Sequence, residues 1–132
     1  MHKKVKGSIA ELRVASHLVA NGWRVLFPYG ENNRYDLVAE KSGVFIRIQV
    51  KYVTPKNGGL DINCSSSNNW SVLPYSSTEI DYLAVFNSSD DEIYFIHVNQ
   101  ITKYKFRLKL SKAKNNQVLG IHFAENYKSI ST

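Results

Sequence analysis

The sequence predicts a single α/β domain from three patterns. A stretch with helical periodicity opens the chain, a strict period-two alternation runs from Val44 to Val53, and two strand-like runs flank the turn Asn87-Ser88-Ser89-Asp90-Asp91. At 132 residues there is enough chain for one hydrophobic core and little room for a second. An apolar content of 43% with 21% charged residues is that of an ordinary globular protein, which excludes a disordered or fibrous chain. No apolar run approaches a membrane span, and the start Met-His-Lys-Lys-Val-Lys lacks the apolar core of a signal peptide, so no membrane partner is expected. Cys64 is the one cysteine, which excludes an internal disulfide and a cysteine-based zinc site and leads us to expect a reduced, cytosolic setting.

Ser8 to about Ala20 reads as the helix, with Gly7-Ser8 to cap its start and Asn21-Gly22 to close its end. At about 100° per residue, Leu12, Ala15, Leu18 and Val19 share one arc, and Glu11 falls inside it. A carboxylate on that arc is anomalous. Trp23 to Phe27 reads as a first strand, ended by Pro28 and a polar loop. Tyr35 to Glu40 reads as a second, with Tyr35, Leu37 and Ala39 on one face and Asp36, Val38 and Glu40 on the other. The turn Lys41-Ser42-Gly43 leads into the strand Val44–Val53, where Gln49 and Lys51, two apart, must share a face.

Thr54 to Gly59 is a loop. Leu60 to Asn63 begins a strand with an unusual Ser/Asn-rich continuation, and Ile80–Phe86 with Glu92–Val98 forms a hairpin. Lys103 to Leu110 alternates basic residues with Tyr104, Phe106, Leu108 and Leu110, a strand with one cationic face. Cys64 reads as a small packing residue, and Ile121, Phe123 and Ala124 as a last apolar contact. His2, His17, His97 and His122 show no metal-ligand spacing and are assigned no catalytic role.

A net charge of +6 suggests a polyanionic partner, most often nucleic acid. The distribution sharpens this: Lys103, Lys105, Arg107, Lys109, Lys112 and Lys114 occur without an acid among them, and Lys3, Lys4 and Lys6 form a smaller cluster. Either run has an ordinary role as a solvated face.

Glu11, Asp36 and Gln49-Val50-Lys51 make the set that carries chemistry. Hydrolysis of a phosphodiester needs a divalent cation, an activated water and a positive group near the developing charge. A hard cation takes oxygen ligands, which Asp36, the Gln49 amide, the Val50 carbonyl and Glu11 offer. Lys51 would orient the attacking water or offset charge on the phosphate. Taken singly, each has an ordinary role as well: Lys51 as an exposed cross-strand partner, Asp36 as a loop end, Glu11 in an ion pair at a helix edge. Jointly they weigh more, because a buried carboxylate is costly without a partner or a metal.

Lys6-Gly7-Ser8-Ile9-Ala10-Glu11, Tyr35-Asp36-Leu37-Val38 and Ile48-Gln49-Val50-Lys51 together resemble the core of the PD-(D/E)XK nuclease superfamily. The opening segment is also similar to archaeal Holliday junction resolvases. Ile80–Phe86, Lys114–Gln117 and Phe123–Tyr127 resemble the later strands and tail of endonucleases encoded in cyanobacterial group I introns. The resemblance covers nearly the whole chain, with one departure: Gln49 stands where the superfamily usually has an acid.

This resemblance implies a restriction-endonuclease-like core over residues 1–132, a mixed β-sheet flanked by helices with an added β-hairpin or ribbon for DNA binding. It implies a homing endonuclease using Mg2+ or Mn2+, with Glu11, Asp36, Gln49 and Lys51 catalytic and double-stranded DNA as substrate. Two strands to cut imply two active sites, hence at least a dimer, and the intron group raises a tetramer. The expected DNA contacts are Lys3, Lys4, Arg34, Arg47 and Lys56. A ribbon from about Lys56 to Ser71 adds Asn63, Ser65, Ser67, Asn69, Trp70 and Ser71 for base edges. Lys103, Lys105, Arg107 and Lys109 would contact phosphates. The alternatives are a junction resolvase and a non-catalytic DNA-binding relative.

Overall fold

The computed structural model describes residues 1–67, 72–74, 76–77, 79–111 and 119–131. Helix α1 spans Lys3–Ala20 and so starts before Ser8. His2 is the cap: its Nδ1 accepts from the Lys4 amide at 3.1 Å. The Ser8 hydroxyl bonds back to the Lys4 carbonyl within the helix, at 3.0 Å, and caps nothing. The expected end does hold. Gly22, at φ 87°, lets the Trp23 amide reach the Leu18 carbonyl and its own amide reach that of Val19, a Schellman closure.

Among the described residues ten strands follow: β1 (Arg24–Leu26), β2 (Leu37–Lys41), β3 (Val44–Val53), β4 (Gly59–Asn63), β5 (Ser65–Ser67), β6 (Val72–Pro74), β7 (Tyr82–Asn87), β8 (Ile93–His97), β9 (Lys105–Lys109) and β10 (His122–Phe123). The central sheet has the order β1-β2-β3-β7-β8. It is mixed, because β3 and β7 run parallel while the other neighbours are antiparallel. Ser42 and Gly43, both at positive φ, make the two-residue turn that joins β2 to β3.

Helix α1 covers one face of this sheet through Ala10, Val14 and Leu18, which pack with Leu37, Ala39, Ile46, Ile48, Val50 and Phe95. Leu12 and Val19, expected on the buried arc, are 66% and 60% exposed. Glu11 therefore sits at the margin of the buried stripe and not in its middle. The small Ala10 and Val14 let the helix approach the sheet closely, and that spacing of four sets the contact face.

The other face is covered by strands. A second sheet of order β10-β9-β4 turns Leu60, Ile62, Phe106 and Leu108 onto Leu83, Val85 and Ile96, with Cys64 fully buried among them. Among the described residues the α-helical cover lies on one face, while a 3-10 turn at Ala124–Tyr127 packs against the second core on the other. The expected ribbon is also divided: β4 pairs with β9, and β5 pairs antiparallel with β6; Asn69, Trp70 and Ser71 lie outside the described residues. The β7–β8 hairpin and the cationic strand β9 are found where the sequence placed them. No helix among the described residues is long and apolar enough to cross a membrane.

Candidate active site and nucleic-acid face

The site begins where β2 parts from β3. The last backbone bond of that ladder runs from the Asp36 amide to the Ile48 carbonyl, at 2.8 Å. Beyond it the chain twists, and Tyr35 packs with the second core instead of following Leu37. The Val50 amide would then lack a partner on that side, but the Asp36 Oδ2 accepts it at 2.7 Å. A side chain completes the ladder that the backbone has left. Because the amide and carbonyl of one strand residue point the same way, the Val50 carbonyl faces this edge too. Continuing the β2–β3 register one step sets Asp36 opposite Gln49.

Charges crowd at this edge. Burial raises the Asp36 pKa above the ordinary carboxylate value, against the lowering effects of the Val50 amide and of Lys51. Burial also raises Glu11, and the Asp36 charge raises it further. Burial lowers Lys51, with Cys64 and Asp36 opposing that shift and Lys3 adding to it. Glu11 and Lys51 are therefore each within electrostatic reach of Asp36, and Lys3 is within reach of Lys51. Cys64 beside them is a thiol pushed up to about 11 by burial, and so is uncharged at neutral pH. Gln49 is half-buried on the strand that carries Lys51, and its side chain makes no hydrogen bond with a described residue.

Two neighbouring carboxylates, one of them raised by the charge of the other, suit a cation placed between them. The further donors, the Val50 carbonyl and the Gln49 amide, are oxygens. Among the described residues no three His, Cys, Asp or Glu side chains cluster as a metal cage. An all-oxygen set with two carboxylates fits a hard divalent ion that keeps several of its waters.

Basic residues named from the sequence divide into two groups. Arg34 pairs with Glu79. Arg47 is held by Asp81 through Nε and Nη2, each at 3.1 Å, while its backbone amide reaches the same carboxylate at 2.8 Å. Arg107 bonds Asp61 and the carbonyls of Lys56 and Asn57. These three guanidiniums are committed within the chain. Lys105 and Lys109 stand on the outer face of β9, away from the core, and Lys103 precedes them beside the same cleft. Lys3 and Lys4 are exposed at the start of α1, and Lys56 is exposed before β4. Asn63 Oδ1 accepts from the Ser65 amide and hydroxyl at 3.0 and 2.6 Å, at the point where β4 passes into β5.

The Arg47–Asp81 lock was invisible in the sequence, since its partners lie 34 residues apart with no local pattern to join them. The surroundings of His122 were equally hidden: its ring stacks on Phe106 and bonds Tyr127.

The sequence profile of the PD-(D/E)XK endonucleases matches residues 1–130. The chain belongs to the PD-(D/E)XK endonuclease family. It is a nuclease of that type, acting on DNA, and members of the family generally use divalent metal ions. The solved structure of a bacterial homing endonuclease, I-Ssp6803I, superposes with a TM-score of 0.75 at 23% identity, covering 97% of this chain and 89% of that one. That likeness establishes the restriction-endonuclease-like fold. Hjc, a Holliday junction resolvase of Archaeoglobus fulgidus, aligns at 17% identity with a TM-score of 0.49, covering 96% of this chain and 99% of that one. No curated protein matches this PD-(D/E)XK chain.

Proposed function

We propose that this nuclease is a site-specific homing endonuclease that makes double-strand breaks in duplex DNA and so promotes the spread of a group I intron. The observation that carries the reading is the Asp36 carboxylate closing the β3 ladder at Val50, with Glu11 and Lys51 in electrostatic reach. Asp36, Glu11, the Gln49 amide and the Val50 carbonyl would hold Mg2+ or Mn2+. When bound, the ion supplies positive charge at the scissile phosphate and an acidified water. Lys51 stabilises the negative charge that develops on the phosphate oxygens as water adds and the P–O bond breaks. Because each strand needs its own site, the acting species is a homo-oligomer, at least a dimer and, to span a long target, a tetramer. Its setting is the bacterial cytosol, where its substrate lies.

The test is cleavage of linear duplexes that include an intron-insertion site, beside a four-way junction, with Mg2+ or Mn2+. Wild type should cut the linear site, and Lys51→Ala should bind it with near-normal affinity without cutting. Cutting of the junction alone would identify a resolvase. Binding without cleavage on every DNA would identify a non-catalytic member of the fold. Equal nicking by wild type and Asp36→Asn would remove Asp36 from the metal site.

A further inference from the structure

The sequence gives His122 no role, but its surroundings in the fold are those of a held ligand. The ring stacks on Phe106, with centroids 4.3 Å apart and planes 25° from parallel. Its Nδ1 lies 3.0 Å from the Tyr127 hydroxyl, and that hydroxyl donates to Gln100 Oε1 at 2.7 Å. A phenol has one proton to give. With that proton directed at Gln100, the bond between His122 and Tyr127 must be donated by the imidazole. The neutral ring is thereby fixed as its Nδ1–H tautomer, with the lone pair on Nε2.

This exposed ring lines a cleft of about 450 Å³ beside β9. The charged groups that line the cleft with it are Lys103, Lys105, Arg107 and Lys109, with no carboxylate among them. Arg107 is already occupied by Asp61 and two carbonyls. Among the described residues, the other titratable group in contact with the ring is Tyr127. A lone pair on Nε2 repels an anion in the cleft, whereas a proton there makes Nε2 a charge-assisted donor.

We propose that this cleft is a phosphodiester subsite for duplex DNA, lined by none of the residues assigned to the metal site, and that His122 engages the phosphate only as the imidazolium. DNA binding then takes up a proton at this ring. The proposal rests on the DNA-cleaving function above, but it concerns binding and not the chemical step.

The experiment is a titration of a long duplex carrying the insertion site, with a chelator to prevent cleavage, at several pH values from about 5.5 to about 8, spanning the ordinary histidine range. Wild-type affinity should fall by about tenfold across that range, the scale of one charged hydrogen bond. His122→Asn retains an amide donor toward Tyr127 and should bind weakly at the acid end with little pH dependence. Tyr127→Phe unlocks the tautomer, so that a neutral ring can donate from Nε2, and its pH dependence should shrink as well.

The proposal is overturned if His122→Asn binds and responds to pH as wild type does, and cleavage by both would then leave the nuclease function standing. Failure of wild type to bind any duplex overturns both. Should His122→Asn fail to fold, the ring 15N signals of wild-type His122 decide: the ring should gain a proton when duplex is added at about pH 7, and unchanged protonation overturns the proposal.

Discussion

At the residue scale, the two sets of acidic groups oppose each other as pH changes. Burial tends to raise Asp81, but its hydrogen bonds with Arg47 outweigh that and hold its pKa below the ordinary carboxylate value. The lock therefore adds stability at neutral pH and loses it as pH falls through the depressed value. Glu11 and Asp36 are raised, so their charged forms oppose folding at neutral pH and protonation favours the fold. Asp36→Asn keeps an acceptor for the Val50 amide while removing the crowded charge. It should leave stability unchanged or raise it by about 0.5–1 kcal/mol, measured by urea unfolding at neutral pH, while cleavage falls at least about 100-fold. Asp81→Asn should cost about 1–2 kcal/mol at neutral pH, reduced from the buried-pair value because both side chains are about a third exposed. Its penalty should shrink only below about pH 5, as pH falls through the ordinary aspartate value and then through the depressed one and wild type loses the same lock. A penalty that stays constant in acid would show that Asp81 does not titrate with the fold.

At the element scale, helix α1 and strand β3 illustrate what a linear pattern can and cannot reveal. The limits of β3 were legible because an alternating strand bounded by Gly43 and Thr54-Pro55 admits one reading. The buried face of α1 was legible only in part: Leu18 and Ala15 pack inward as expected, whereas Leu12 and Val19 do not. Leu12 and Val19 weigh heavily in a hydrophobic sum, yet contact with the sheet is decided by close approach, which favours Ala10 and Val14. The helix start was missed for a related reason: Gly7-Ser8 resembles a cap, but His2 caps earlier and Gly7 is carried within the helix. Strand β4 depends on a further detail that no pattern announces. A Cβ built at Gly59 would lie 2.6 Å from the Arg107 guanidinium carbon, and Arg107 is pinned by Asp61 and by the carbonyls of Lys56 and Asn57. Gly59→Ala should therefore destabilise by about 1–2 kcal/mol, since at least one of those bonds must yield. Arg107→Ala should suppress the added cost of Gly59→Ala in a double-mutant cycle, and simple additivity would contradict the clash.

For the whole molecule, a net charge of +6 pointed to a polyanion, and the fold determines which cations are available to meet it. Three arginines expected at DNA also make internal ties: Arg34 to Glu79, Arg47 to Asp81 and Arg107 to Asp61. On β9 Lys105 is exposed and Lys109 partly so, while the alternate residues Phe106 and Leu108 anchor the strand to the core. Lys105→Ala should weaken duplex binding at all sequences alike and reduce the slope of log affinity against log salt by about 1. An unchanged slope would show that Lys105 meets no phosphate. The carboxylates and Lys51 were legible because such groups are costly to bury without purpose. The internal arginine ties were not, since a sequence reports charge and does not report which charge another residue has already claimed.

The bond from Val50 to Asp36 gives the protein a reporter of its own. An amide proton held by a carboxylate changes its magnetic environment, and its exchange with solvent, whenever that carboxylate gains a proton or a cation. The Val50 amide resonance should therefore follow acidification and metal titration at Asp36 directly, in the intact enzyme and without substrate. Occupancy of the site can thus be read from a main-chain nucleus, even in variants too inactive for any turnover to be seen.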